Sequence, residues 1–271
     1  MAQEGRLSQA RRKPLMIPRE HGAYGQLLFP LVTALAVGRP GVAALALAGA
    51  AIAAFIAHEP LLVLLGQRGG RAARERRAEA RRWFLGFAGA AVTLGVVALA
   101  ALPRDARIAI ILPLVLASAL GVMIVRGREH TTPGEVVSAL TLSSLALPIA
   151  LAARASIGAA LTCALVFAVA FVAATVCVRA MILWAQRRAG ALPRSAAGAF
   201  AAGGVAVLAA LSRADVTHAV GAWAALPVCG VGLWIVAVPP SPRHVRRVGW
   251  TLVGATVVTS ALLIAGLRAP R

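Results

Sequence analysis

Residues 41–65 read GVAALALAGAAIAAFIAHEPLLVLL, a run that is apolar along almost its whole length. A helix of this run is about 37 Å long at 1.5 Å per residue, and the hydrocarbon core of a bilayer is roughly 30 Å thick. The run therefore predicts a transmembrane helix. Its one polar interruption is the tripeptide His58-Glu59-Pro60, near the end of the span.

The rest of the chain has the same apolar character. Of its 271 residues, 60% are hydrophobic and 14% are charged, whereas soluble domains carry about 25% charged residues. Nine candidate spans follow one another along the sequence, at about 22–38, 41–65, 83–102, 107–125, 135–153, 156–185, 195–211, 215–238 and 248–267. Because the first and the seventh are short, the sequence predicts an all-α, polytopic transmembrane helix bundle of eight or nine spans.

The charge is strongly positive, with 28 Lys and Arg, 9 Asp and Glu and a formal net charge of +19. A soluble protein of this charge would suggest a nucleic-acid partner. Here the cations lie in short clusters between apolar runs, which is typical of charges that set membrane topology. With the N-terminus in the cytoplasm, 21 of the 28 cations fall on the cytoplasmic side. We therefore predict a bacterial inner-membrane protein that contacts membrane lipids and no nucleic acid.

The chain divides simply. Residues 1–21 are basic and lack a convincing signal-peptide cleavage site, so we predict a cytoplasmic N-terminal segment there. Residues 22–271 are expected to form a single transmembrane helical domain.

Acidic residues are scarce, and four of the nine lie beside histidines. Arg-Glu-His occurs twice, at 19–21 and at 128–130, and His58-Glu59 forms a third cluster. On the predicted topology, all three clusters lie at the cytoplasmic ends of their spans. Ionisable groups at membrane depth are functional candidates by default. The candidates for proton exchange or catalysis are His58, Glu59, His21, Glu129 and His130.

Other polar residues are candidates for ligand binding. Arg179 stands alone in an apolar run, where it could hold an anion or pair with Glu59 or Glu135. The candidates of this kind are Arg19, Glu20, Arg179 and Glu135.

Three local features predict details of the helices. Proline removes a backbone donor, so we expect the second span to be broken at Pro60, facing a cavity. Thr132 is expected to cap the fifth span, with Glu135 completing a capping box. The same span carries a polar stripe that would line a cavity or cross-link helices, namely Ser138, Thr141 and Ser144.

The His/Glu clusters also have a structural interpretation, because such side chains can pair with arginines and lock helices together. They could equally ligate a metal, although no local spacing demonstrates a metal site. The Walker A, H-E-x-x-H and G-x-S-x-G motifs are absent from the sequence. The cofactor, if any, is therefore left open.

Residues 18–31 read PREHGAYGQLLFPL, and residues 57–72 read AHEPLLVLLGQRGGRA. Both segments resemble the YwiC-like family of bacterial membrane proteins, in which a Trp is frequent at the place of Tyr24. The resemblance covers roughly the first half of the chain. It implies a multi-pass membrane protein and names no activity.

The layout also resembles UbiA-type prenyltransferases, which have nine spans and polar clusters at the ends of the second and sixth spans. Those enzymes carry Asp-rich motifs at both places, holding magnesium and a prenyl diphosphate. Here His58 and Glu59 occupy the first place and Arg179 the second, and neither contains Asp. This resemblance implies a lipid-soluble substrate with a directly Arg-bound anion, or a different reaction.

Three hypotheses of function follow, and whether the protein is an enzyme is left open. The first is enzyme-like chemistry on a lipid-soluble or anionic small molecule at a cytoplasm-facing intramembrane site. The second is a proton-coupled transporter of small solutes. The third is a non-catalytic membrane scaffold that contacts a partner through the Arg-rich residues 68–82.

Overall fold

The computed structural model describes Met16 and residues 21–186, 194–240 and 244–268. Within these ranges the chain forms α-helices and no β-strand. The helices are α1 (His21–Val37), α2 (Val42–Leu64), α3 (Gly70–Glu75), α4 (Arg77–Ala101), α5 (Arg104–Ala109), α6 (Ile111–Val125), α7 (Thr132–Ser144), α8 (Ala146–Ala152), α9 (Ile157–Ala185), α10 (Arg194–Arg213), α11 (Val220–Ala237) and α12 (Val245–Arg268).

Eight segments of the described chain are long and apolar enough to cross a membrane. They are α2, α4, α5 with α6, α7 with α8, α9, α10, α11 and α12. The 17-residue α1 is a shorter apolar helix. The predicted all-α polytopic bundle of eight or nine spans is therefore confirmed.

The central helix of the bundle is α9, which packs against α7, α8, α10 and α11. Small residues let these helices approach closely. A Cβ added at Gly232 would lie 3.2 Å from Sγ of Cys177, and one at Gly221 would lie 3.0 Å from the Thr162 side chain. At the periphery, α4 packs mainly on α2 and turns large aliphatic side chains outward, such as Leu85 and Val92.

Two spans are interrupted, each four residues before a proline. The helix α5 ends at Ala109, before Pro113, and α7 ends at Ser144, before Pro148. Proline has no N–H for the carbonyl four residues earlier, and its ring crowds that carbonyl. The break predicted at Pro60 is wrong, because α2 continues through that residue to Leu64. The loss of one backbone hydrogen bond is tolerated within a membrane helix whose neighbours pack around it.

The connecting loops gather at two ends of the bundle. At one end, the N–H of Arg39 donates to the carbonyl of Ala153 at 2.6 Å, joining the loops that follow α1 and α8. At the other end, the side-chain amide of Gln67 donates to the carbonyl of Ile124, joining the loop after α2 to the last turn of α6. We call this second end, which carries residues 65–69 and 126–131, the polar end.

Candidate functional site

A cavity of about 470 Å³ lies at the polar end. Its wall combines α1, α2, α6, α7, α9 and α12 with the loop that precedes α7. Five of the predicted site residues line it together, namely His58, Glu129, His130, Glu135 and Arg179. The sequence placed these residues near one end of the bundle, and the structure shows that they share one cavity.

The remaining wall is largely apolar. Leu62, Leu120, Ile182 and Leu252 line the cavity from α2, α6, α9 and α12. Such a combination of apolar walls and a few convergent polar groups is typical of small-molecule sites in proteins. The cavity can therefore hold a molecule that is apolar over part of its surface and polar at one end.

A tight turn before α7 presents Glu129 and His130 to the cavity. The Thr131 hydroxyl donates to the carbonyl of Arg128 at 2.7 Å and accepts from the N–H of Gly134 at 3.3 Å. One side chain thus closes the turn and caps the helix. These two hydrogen bonds hold the turn against the start of α7.

Gly134 permits the close approach of this turn to α7. A Cβ at that position would lie 2.5 Å from the carbonyl oxygens of both Arg128 and Glu129. Any other residue would push the turn away from the helix. The glycine is therefore part of what positions the Glu129 side chain.

The helix cap lies one residue earlier than predicted. The N-cap is Thr131 and not Thr132, so the third helical position is Gly134. Consequently Glu135 is one position too late for a capping box. Its carboxylate instead faces the cavity and meets Arg179.

Glu129 lies between two histidines. One carboxylate oxygen is 3.6 Å from Nε2 of His58, and the other is 3.2 Å from Nε2 of His130. The Glu129 side chain is only 12% exposed, whereas that of His130 is 64% exposed. The three groups thus form a row from the exposed mouth of the cavity to α2.

Arg179 is held by two partners from the start of α7 and its turn. Its Nη1 donates to Glu135 at 3.1 Å, and its Nη2 donates to the backbone carbonyl of His130 at 2.9 Å. Of the two partners weighed for Arg179 from the sequence, the structure shows Glu135. Both terminal nitrogens therefore contact the protein itself.

Glu59 faces away from this group. Its two oxygens accept from Nε and Nη2 of Arg68 at 2.9 and 2.5 Å, and it is not among the residues that line the cavity. Consecutive residues of a helix point about 100° apart, so His58 and Glu59 meet different surroundings. A catalytic role for Glu59 stays a prediction.

Three predicted residues lie at or just before the start of α1. Arg19 and Glu20 fall outside the residues that the structure describes. His21 is the first residue of α1, and only its backbone is described. The next residues, Gly22 and Ala23, line the cavity. Roles for Arg19, Glu20 and His21 therefore stay predictions.

Two polar lining residues were not predicted, Gln26 and Thr175. Gln26 lies one helical turn after Gly22, and Thr175 one turn before Arg179. Residues four apart share a helix face. That spacing, counted from the predicted Arg179, could have found Thr175, whereas Gln26 is not four positions from any predicted site residue.

The predicted polar stripe on the fifth span divides between two roles. Ser138 lines the cavity. Thr141 and Ser144 are buried and donate to the carbonyls of Val137 and Thr141, within their own helix. Neither of these two bonds links helices.

Metal binding was left open by the sequence. Among the residues that can be described, no group of three or more His, Cys, Asp or Glu side chains is arranged to hold a metal ion.

The fold and the site together define a class: a multi-pass helical membrane protein with ionisable side chains converging on a cavity at one end of the bundle. The family model described as YwiC-like protein matches residues 17–150, so about the first half of the chain is similar to YwiC-like proteins. This match confirms the resemblance drawn from residues 18–31 and 57–72. No curated protein and no solved structure matches the chain. The likeness to UbiA-type enzymes stays a prediction.

Proposed function

We propose that the protein binds a lipid-soluble small molecule in the cavity at the polar end and exchanges a proton with it. The observation that carries this proposal is the convergence of His58, Glu129, His130, Glu135 and Arg179 on one cavity with an apolar wall. Ionisable side chains are costly at membrane depth, so they are kept where they serve a substrate or proton path.

The row of His58, Glu129 and His130 supports the proton exchange. Histidine gains and loses its proton near neutral pH, and a carboxylate between two imidazoles stabilises whichever one is protonated. The distances of 3.6 and 3.2 Å place Glu129 to do so for both. A ligand group at this row meets a general base whose proton can pass towards the exposed His130.

Filling the cavity tests the binding proposal. Gly22 lines the cavity, and a Cβ there would meet nothing within 4 Å, so Gly22→Leu introduces bulk without a clash at its Cβ. Gly89→Leu is the matched control, since Gly89 is an exposed helical glycine on α4 with equally open space. The protein in nanodiscs would be screened for thermal stabilisation by a panel of quinones, isoprenols, fatty acids and hydrophobic amines.

A ligand that binds the folded state raises the melting temperature. We expect at least one class of compound to stabilise the wild type and Gly89→Leu but not Gly22→Leu. If every compound shifts all three proteins equally, the cavity is not a binding site and the proposal fails.

The same geometry serves a proton-coupled transporter, which uses a proton-exchanging group beside a bound solute. Once a stabilising compound is found, its uptake into proteoliposomes under an imposed pH gradient distinguishes a transporter from an enzyme. Uptake that depends on Glu129 assigns transport, and conversion of the compound without uptake assigns an enzyme. The scaffold hypothesis predicts neither result.

We also propose that the polar end faces the cytoplasm of a bacterial inner membrane. The support is the charge distribution, since the cation-rich connection from α2 to α4 falls at that end, together with Arg126 and Arg128.

A further inference from the structure

The charges around the cavity divide into two groups. Glu135 and Arg179 form an ion pair at 3.1 Å, which is neutral as a whole. The second group is Glu129 with His58 and His130. Among the described residues, the other lining positions, contributed by α1, α2, α6, α7, α9 and α12, are uncharged.

The net charge of the second group depends on its protons. With both histidines neutral, Glu129 leaves one negative charge; with one histidine protonated, the group is neutral; with both protonated, it is positive. A net charge in a poorly solvated site is costly. Glu129 is only 12% exposed, so a positive charge beside it, on a histidine or on a ligand, offsets this cost.

Arg179 is poorly disposed to bind an anion. Its Nη1 and Nη2 already donate to Glu135 and to the carbonyl of His130. The Glu135 carboxylate offsets the guanidinium charge, so an anion that met the remaining N–H groups, which include the buried Nε without a hydrogen-bond partner, would add a second negative charge to that of Glu129. A cation instead offsets the charge of Glu129.

From these contacts we infer that the cavity is selective for a lipophilic organic monocation, which binds beside Glu129 in exchange for a proton. The inference rests on the proposed binding function and specifies its substrate class. The apolar wall of Leu62, Leu120, Ile182 and Leu252 would contact the body of such a ligand. It replaces the anionic substrate that the isolated Arg179 suggested from the sequence.

A pair of isosteric probes with opposite charges tests the inference. Tetraphenylphosphonium is a cation and tetraphenylborate an anion, and neither carries an exchangeable proton. Binding to the full chain in nanodiscs would be measured by equilibrium dialysis, with empty nanodiscs giving the lipid background. Calorimetry in two buffers of different ionisation enthalpy gives the number and sign of the protons exchanged. The chain carries a formal net charge of +19, so non-specific electrostatic attraction favours the anion tetraphenylborate and cannot produce a preference for the cation.

We expect tetraphenylphosphonium to bind with release of about one proton per ligand. Glu129→Gln should weaken this binding at least about tenfold and abolish the proton release. Glu129→Asp, which keeps the charge, should retain both. Glu75→Gln is the matched control, because Glu75 pairs with Arg71 on the exposed α3, outside the cavity.

Each contrary result has a distinct meaning. Tetraphenylborate binding that is lost in Gly22→Leu and is accompanied by proton uptake would overturn the cation inference and leave the binding function standing. Tetraphenylphosphonium binding unchanged by both Glu129→Gln and Gly22→Leu would overturn the inference as well. The proposed binding function is then decided separately, by whether a neutral compound of the thermal panel stabilises the wild type but not Gly22→Leu.

Discussion

At the scale of single residues, His58 and Glu59 are neighbours in the chain with different surroundings. His58 faces Glu129 in the cavity, and Glu59 accepts two hydrogen bonds from Arg68 in the loop after α2. The Glu59 side chain is 13% exposed and that of Arg68 33%. This contact holds the start of the Arg-rich connection against the end of α2.

A double-mutant cycle on Glu59 and Arg68 should show this coupling. We expect Glu59→Gln and Arg68→Gln each to lower stability by roughly 1 kcal/mol, because each removes one charge of a partly buried ion pair. The double variant should be little worse than either single one. Melting temperatures in detergent provide the measurement.

The exposed pair Arg71 and Glu75 supplies the control for that cycle. Its side chains are 87% and 61% exposed, so the corresponding substitutions should change stability very little. Additive effects of the Glu59 and Arg68 substitutions would contradict the coupling.

The sequence grouped the ionisable residues correctly near one end, because scarce acids beside histidines are visible in any apolar chain. It could not show which of them face the cavity. His58 and Glu59 differ only by the rotation of one helical position, and that rotation is set by the packing of α2 against α4 and α8. The contacts of Arg179 with the turn before α7 join residues 44 and 49 positions apart, a pairing that no local pattern reveals.

At the scale of elements, the start of α7 determines the shape of the site. The turn carrying Glu129 and His130 lies against the first helical turn, with Gly134 at the point of closest approach. The sequence predicted the helix and its threonine cap. It chose the wrong one of two adjacent threonines, since Thr131 and Thr132 fit the local pattern equally well and only the folded turn distinguishes them.

Gly134→Ala should disturb this element. Its Cβ would lie 2.5 Å from two backbone oxygens, and overpacking of this kind destabilises by roughly 1–3 kcal/mol. We expect a lower melting temperature and weaker tetraphenylphosphonium binding, because Glu129 moves with the turn.

Gly203→Ala on α10 is the comparison for that variant. Gly203 is an exposed helical glycine with nothing within 4 Å of an added Cβ, so alanine there should be neutral or slightly stabilising. Equal melting temperatures for the two alanine variants would show that the turn does not need the glycine.

At the scale of the whole molecule, the apolar runs predicted the helices well because a bilayer demands a minimum length of each span. They did not predict which helices pack against α9, because membrane helices carry apolar side chains both on the faces that contact other helices and on the faces that contact lipid. The interruptions of α5–α6 and α7–α8 each lie four residues before a proline, whereas α2 passes through Pro60. Proline alone therefore does not distinguish a broken span from a continuous one.

The proposed orientation can be tested with single introduced cysteines. The native Cys163, Cys177 and Cys229 are buried, so they should react little with a membrane-impermeant maleimide. We expect Arg104→Cys to be labelled in intact spheroplasts and Arg74→Cys only after permeabilisation. The two exposed residues flank the membrane span α4, with Arg74 before it in α3 and Arg104 after it at the start of α5. The reverse pattern would place the polar end outside.

The ion pair between Glu135 and Arg179 has a consequence for biogenesis. The two residues are 44 positions apart, and chains grow at about 5–20 residues per second, so Glu135 is synthesised roughly 2–9 s before Arg179. Insertion of the fifth span therefore begins before this ion pair can form, and arrival of the sixth span completes it.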